Sequence, residues 1–342
     1  MGEVFLARRQ GGAETVVIKR ILPRFAAEKE FLDRFLHEAR VLARLSDPTI
    51  VRMVELGDVA GQWFLAMEFV DGVDVQTLLE KGSLSLGAAV RIGIEGATAL
   101  SVAHGAKDSA GRLTPIVHRD VSPHNLLVSS AGAVKLIDFG VASLTGQGAS
   151  GGKLAYSAPE QLLEDETSSR SDQYSLGVVL WECLANRRAF DAEDDVEVIQ
   201  LVTEVGVPAL PSSVPASLRE VVAKMTALDP AARFADLGAV RAALVAEARA
   251  LKLDVGPSVI APLVPARAQV AEAKSASLAK AAVELDEVDR LALAALRDGM
   301  TLDEAEIALD AARLPGAPFA LDLLQTLVEK GALRSEDGKF WL

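Results

Sequence analysis

Apolar and polar positions alternate over Val4–Leu22, in VFLARR and then TVVIKRIL, and predict two strands around a Gly-Gly turn. Residues 28–45, EKEFLDRFLHEARVLARL, carry apolar side chains at helical spacing and predict one amphipathic helix. Two more strand-like runs follow, VRMVELGDV and WFLAMEFV, split by a turn at Gly61. Helical patterns then dominate to about residue 250, apart from a short β-rich stretch over 126–137. Strands first and helices later imply an α+β fold with a small β-rich lobe joined to a larger helical one.

The pattern changes after residue 250. Residues 251–283 are rich in Ala and Pro with weak periodicity, and read as a linker. Over 284–342 the periodicity returns, with helices expected near 285–297, 301–312 and 318–331. A closing hairpin, LRSEDGKFWL, is expected to turn at Asp337-Gly338. No internal repeat is visible.

Composition narrows the function classes. The 342 residues are half hydrophobic, enough for a sizeable core, and the formal charge of −13 argues against general affinity for nucleic acid or anionic membrane. The sole cysteine, Cys183, lies in the apolar run YSLGVVLWECLA and reads as a buried structural thiol. One thiol and an opening unlike a signal sequence fit a cytoplasmic location. No membrane span is expected; the most apolar uncharged stretch considered, VGPSVIAPLVP, is short and holds three prolines.

The candidate chemistry sits in two short motifs. HRDVSPHN (118–125) and DFG (138–140) bring Asp120, Asn125 and Asp138 close together in the chain. Such oxygen donors suit Mg²⁺, which takes carboxylates together with phosphate oxygens. A carboxylate held off the metal can orient and deprotonate a hydroxyl. Lys19 lies in a predicted strand and Glu38, nineteen residues on, in a predicted helix. A pair joining the two would hold an ammonium against phosphates.

VVIK, HEARVL, MEFVDG, HRDVSPHN, DFG, SAPEQ and SDQYSLGVVLWE occur in an order and spacing that resemble a bacterial serine/threonine protein kinase of the eukaryotic-like (Hanks) type. The resemblance covers residues 1–250 and implies an N-lobe over 1–70 and a C-lobe over 71–250. It implies a catalytic base at Asp120, Mg²⁺ ligands at Asn125 and Asp138, and Lys19 on the ATP phosphates, positioned by Glu38. Met67 matches the gatekeeper, and Glu68, Phe69 and Val70 the hinge that reads adenine. Val4 and Val17 would roof the base, with Leu127 beneath. It also implies a Glu160–Arg233 pair, an Asp172 anchor for the catalytic loop, and a spine of Leu42, Met53, His118 and Phe139. His124 reads as an inert surface residue.

Two departures from the family stand out. MGEVFLARR resembles the second half of the glycine-rich loop, with Gly2 as its last glycine. The first strand and two glycines are missing, so a start upstream of Met1 is the expectation. Ser122 stands where the family has Lys, and Lys153 where it has Thr. A reciprocal exchange is expected, with Lys153 supplying the cation and Ser122 its hydrogen-bonding partner. Phosphorylation is expected at Ser143, Thr145 or Ser150, with Arg119 and Arg34 as its counter-charges.

Residues 284–342 resemble a small winged-helix domain. Their 13 acidic and 6 basic residues favour self-association or a regulatory protein partner over nucleic acid. The expected activity is ATP- and Mg²⁺-dependent phosphorylation of protein serine or threonine in signalling. The alternative is a pseudokinase, a nucleotide-binding scaffold with little transfer activity, favoured by the half loop and by Ser122.

Overall fold

The structure is a computed structural model that describes residues 2–8, 15–21, 29–59, 62–108, 110–139, 153–163, 167–192, 194–265, 300–301, 334–336 and 339–341. It divides into two units, Met1–Pro265 and Ala266–Leu342.

The first unit opens with strands β1 (Gly2–Arg8), β2 (Thr15–Ile21), β3 (Met53–Val59) and β4 (Gln62–Glu68). They form an antiparallel sheet in the order β1-β2-β4-β3. The β-branched run of β2 takes a central position, paired on both sides. Helix α1 (Lys29–Leu42) turns Phe35, Ala39 and Leu42 inward, an i, i+4, i+7 stripe. Val4, Phe5 and Leu6 on the edge strand β1 are exposed.

Below the sheet the chain is mainly helical. Strand β5 (Gly72–Asp74) leads into α2 (Val75–Lys81), whose first turn is capped by Asp74 accepting from Thr77 N at 2.8 Å. Ser85 caps α3 (Leu86–His104) in the same way. Strands β6 (Leu126–Ser129) and β7 (Val134–Leu136) complete a small sheet, β5-β6-β7. Then come α4 (Pro159–Leu162), α5 (Ser169–Ala185), α6 (Asp195–Gln200), α7 (Ala216–Met225) and α8 (Leu237–Ala250).

Helix α5 is the hub. Every residue from Ser171 to Cys183 is buried, so its lack of a polar face is explained by neighbours on all sides. Cys183 lies within this run, and burial raises its thiol pKa. Helix α3 packs against α5 and α8. Among the described residues α3 alone is long and apolar enough to cross a membrane, with 61% of the relevant window buried inside the fold. Its charged residues Arg91 and Glu95 set it apart from the uncharged stretches compared in the sequence, and it packs as a core helix of the fold.

The expected linker needs correction. Residues 251–265 pack on the helical lobe as short turns, with Ile260 fully buried, so the first unit ends at Pro265 and not at 250. Residues 266–283 and the three helices expected between 285 and 331 lie outside the described residues.

In the second unit, β8 (Met300–Thr301), β9 (Arg334–Glu336) and β10 (Lys339–Trp341) form an antiparallel sheet in the order β8-β10-β9. Glu336 pairs with Lys339, and the turn expected at Asp337-Gly338 lies outside the described residues.

Candidate active site

Lys19 projects from β2 and Glu38 from α1. The Lys19 Nζ donates to Glu38 Oε1 at 2.9 Å and Oε2 at 3.2 Å, and to Asp138 Oδ1 at 3.1 Å. One ammonium thus joins the sheet, the helix and the segment after β7. Burial alone pulls the lysine toward neutrality, but the charges of Asp138 and Glu38 outweigh it and its pKa rises. Burial also raises the pKa of Glu38, against the attraction of Lys19, and Asp138 adds to the rise.

Asp120 and Asn125 sit on the loop before β6. The Asn125 Nδ2 donates to the Asp120 carbonyl at 2.7 Å and to its Oδ2 at 3.2 Å. That use of the amide nitrogen leaves the Asn125 side-chain oxygen as an acceptor. Asp138 is held in the left-handed region, φ 51°, which constrains its direction. Two oxygen donors with a neighbouring carboxylate fit Mg²⁺ shared with phosphate oxygens. Among the described residues no cluster of three or more His, Cys, Asp or Glu side chains would hold a metal alone.

The loop is fixed from below by Asp172, fully buried at the start of α5. Its Oδ2 accepts from His118 N at 2.7 Å and its Oδ1 from Arg119 N at 2.8 Å. His104 Nε2 lies 2.7 Å from the same Oδ2, a contact the sequence reading missed. These bonds hold Arg119 at φ 66°, a conformation costly for a side-chain-bearing residue. His118 contacts the Phe139 ring at 4.7 Å between centroids and reaches the Ile137 carbonyl at 3.0 Å. Leu42, His118 and Phe139 are buried, while Met53 is half-buried.

Lys153 occupies the turn before residues 154–156, and its Nζ lies 2.8 Å from Asp120 Oδ2. Ser122 is buried, and its backbone carbonyl accepts from Asn125 N at 3.0 Å. The ammonium goes directly to Asp120, and among the described residues no hydrogen bond joins it to Ser122. The opposite charge of the carboxylate outcompetes a neutral hydroxyl.

The nucleotide-facing candidates lie along the sheet and hinge. Val4 stands opposite Lys19 and Val17 opposite Met67; Gly2 stands opposite Ile21. Met67 is buried, Val17, Phe69, Val70 and Leu127 are half-buried, and Val4 is 66% exposed. Glu68 accepts from Arg52 N at 2.8 Å and from Lys135 Nζ at 2.7 Å, a tether of the expected hinge that no motif marks. His124, expected to be inert, lies 3.3 Å from Asp74 Oδ2. The phosphorylation candidates Ser143, Thr145 and Ser150, and the side chain of Arg34, lie outside the described residues.

A family model described as protein kinase domain matches residues 1–245. This chain belongs to the protein kinase family. Its kinase domain is 36% identical over 251 residues to the tyrosine-protein kinase MasK of Myxococcus xanthus, covering 68% of this chain and 39% of that protein. It is 36% identical over 248 residues to the serine/threonine-protein kinase PknL of Mycobacterium tuberculosis, covering 70% and 60%. It is 34% identical over 249 residues to PknD of that organism, covering 70% and 36%. The chain therefore spans only part of the curated relatives it matches. The PknI kinase domain of Mycobacterium tuberculosis superposes with a TM-score of 0.56 at 30% identity, over 73% of this chain and 91% of that one. The two-lobed kinase fold expected from the motifs is thus the fold of the domain.

The buried ion pair of the kinase domain closes the lower lobe. The guanidinium of Arg233 meets Glu160 through Nη1–Oε1 at 2.8 Å and Nη2–Oε2 at 2.9 Å. Arg233 also donates to the carbonyls of Ala227, Leu228 and Arg170, and Ser171 Oγ donates to Glu160 Oε1. Burial works against ionised Glu160, but the Arg233 hydrogen bonds overcome it and hold the carboxyl below its usual range.

Proposed function

We propose that this kinase-family chain transfers the γ-phosphoryl group of ATP to serine or threonine hydroxyls of proteins. The observation that carries the reading is the convergence of Lys19, Glu38 and Asp138 in one cluster. Such a cluster is expensive to assemble unless its charges are used.

Asp120 is the base. Lys153 and Asn125 both bind its Oδ2, so Oδ1 is the oxygen free, among the described residues, to receive the hydroxyl proton. As the substrate oxygen bonds to phosphorus, the bond from phosphorus to the β–γ bridging oxygen breaks and ADP leaves. The proton passes to the Asp120 carboxylate. Lys19 meets the negative charge of the phosphates, and Glu38 fixes its direction. Mg²⁺, held by Asp138 and the side-chain oxygen of Asn125, would neutralise phosphate charge. Lys153 places a cation beside the base, where it orients the Asp120 carboxylate and would meet the negative charge of the incoming phosphoryl group. The hinge Glu68–Val70 and the side chains of Val17, Met67 and Leu127 form the adenine subsite, with Val4 and Gly2 above it.

ATP as donor goes with a cytoplasmic position for this domain and a part in signalling, and the acidic C-terminal unit goes with self-association or a regulatory protein partner. The choice of serine or threonine follows the PknL and PknD likeness, whereas MasK is named a tyrosine kinase. Phosphoamino-acid analysis of a mixed serine, threonine and tyrosine peptide library, labelled by this chain with Mg²⁺ and γ-labelled ATP, tests the reading. Phosphoserine and phosphothreonine are expected. Label on tyrosine alone would overturn the assignment of hydroxyl class. Nucleotide binding with no transfer to any peptide would leave the scaffold reading in its place.

A further inference from the structure

The segment after α8 is built into the kinase domain at three points. An ideal Cβ on Gly87, near the start of α3, would lie 2.1 Å from the Asp254 carbonyl oxygen. One on Gly132, in the β6–β7 turn, would lie 2.2 Å from the Pro257 carbonyl oxygen. Gly132 also needs its φ of +78°. Between them the buried Arg91 of α3 donates to the Gly132 carbonyl at 3.1 Å and the Val255 carbonyl at 2.7 Å. Its remaining charge is met by Glu95 at 3.3 Å. Ile260, past the turn, is fully buried. A passive tether needs none of these fittings.

The hairpin that the segment grips is also the lower wall of the cleft. The β6–β7 turn is bound to the end of the hinge through Ser130 N donating to the Asp71 carbonyl at 2.7 Å. On β7, Lys135 holds Glu68 at 2.7 Å. On β6, Leu127 follows Asn125 by two residues, and the Asn125 carbonyl accepts from Ile137 N at 2.9 Å. One continuous set of contacts therefore runs from Asp254–Ile260, through Arg91 and Gly132, to the hinge and the catalytic loop.

We infer that Asp254–Ile260 is a brace that sets the hinge-side wall of the nucleotide cleft, so that its docking and nucleotide affinity are coupled. The inference rests on the kinase reading above, because it supposes that nucleotide occupies this cleft. Coupling is reciprocal: if docking favours nucleotide, nucleotide favours docking by the same factor. The device also gives whatever acts on the chain beyond Pro265 a mechanical route to the cleft.

The test uses the full chain. Amide hydrogen exchange over 251–265 is measured with and without an ATP analogue and Mg²⁺, and analogue affinity is measured by titration. Gly87→Ala raises helix propensity in α3 yet must displace the Asp254 carbonyl. Ile260→Asp dislodges the far end independently. The expected result is slower exchange of 254–260 with nucleotide in the wild-type chain. Both variants are expected to lose about 5-fold or more in nucleotide affinity, the lower end of ordinary coupling. Gly87→Ala should show fast exchange over 254–260 while the exchange of α5 is unchanged. An undocked segment with affinity within twofold of wild type overturns the brace alone. Unchanged exchange of 254–260 on nucleotide saturation of the wild-type chain does so without any variant. A wild-type chain that binds no nucleotide overturns the kinase reading and the brace together.

Discussion

The ammonium of Lys153 lies 2.8 Å from Asp120 Oδ2, although the two residues are 33 positions apart. A cation delivered by a separate segment thus stands at the proposed base, while the neighbouring loop position holds the neutral Ser122. Charge stabilisation depends on where the charge stands, whichever stretch of chain supplies it.

Lys153→Ala is expected to lower kcat about 100-fold, the scale of losing one preorganised electrostatic donor, with a smaller effect on the KM for ATP. Moving the cation back in Ser122→Lys/Lys153→Thr should recover part of that loss. Steady-state kinetics of the two single variants and the double variant check this. A double variant no better than the worse single one contradicts the exchange.

The Glu38 carboxyl has a raised pKa in the fold, first through burial. A carboxyl that binds its proton more tightly when folded favours the fold below its unfolded pKa. That contribution is lost as pH rises through the folded value. For activity the direction is opposite, because the pair with Lys19 needs ionised Glu38. The acid limb of kcat/KM is therefore expected above the ordinary carboxylate range, and a Glu38→Gln chain should lack it. A pH–rate profile of each chain measures both.

Glu160 has the reverse sign. Its pKa is held low by Arg233 against the effect of burial, so its contribution to stability is present above the unfolded pKa and lost as pH falls through the folded one. Arg233→Ala leaves a buried carboxylate without its partner and should cost about 3–5 kcal/mol. Denaturant unfolding at neutral pH reads the loss, and the gap to wild type should narrow in acid.

Asp172→Asn is expected to loosen the catalytic loop more than the fold. The amide can accept one of the two backbone hydrogen bonds from His118 and Arg119 but not both in the same way. With its anchor weakened, Arg119 is free to leave φ 66°. Transfer should fall about 10-fold or more, the cost of misplacing a reacting group. Thermal unfolding should shift by a few degrees.

Local pattern made much of this legible. Strands β1–β4 and helix α1 follow from alternation and helical spacing, and the Lys19–Glu38 pair follows from a strand lysine and a helix glutamate at the motif spacing. Contacts between distant segments with no motif of their own were not legible. Lys135–Glu68 and His104–Asp172 join residues 67 and 68 positions apart, and nothing local marks either. Residues 251–265 were misread because short turns built on Pro257 and Pro262 have no hydrophobic period, although they bury Ile260. The direct Lys153–Asp120 contact was not legible either, because a motif gives positions and not which acceptor one ammonium takes.

The most direct measurement is a single-turnover transfer of label from γ-labelled ATP, with Mg²⁺, by the 342-residue chain beside its Asp120→Asn and Asp138→Ala variants. Label is expected on protein hydroxyls with the wild-type chain, and at least 100-fold slower labelling with either variant. Equal labelling by all three chains, or none by the wild-type chain with nucleotide bound, would contradict the proposed transfer.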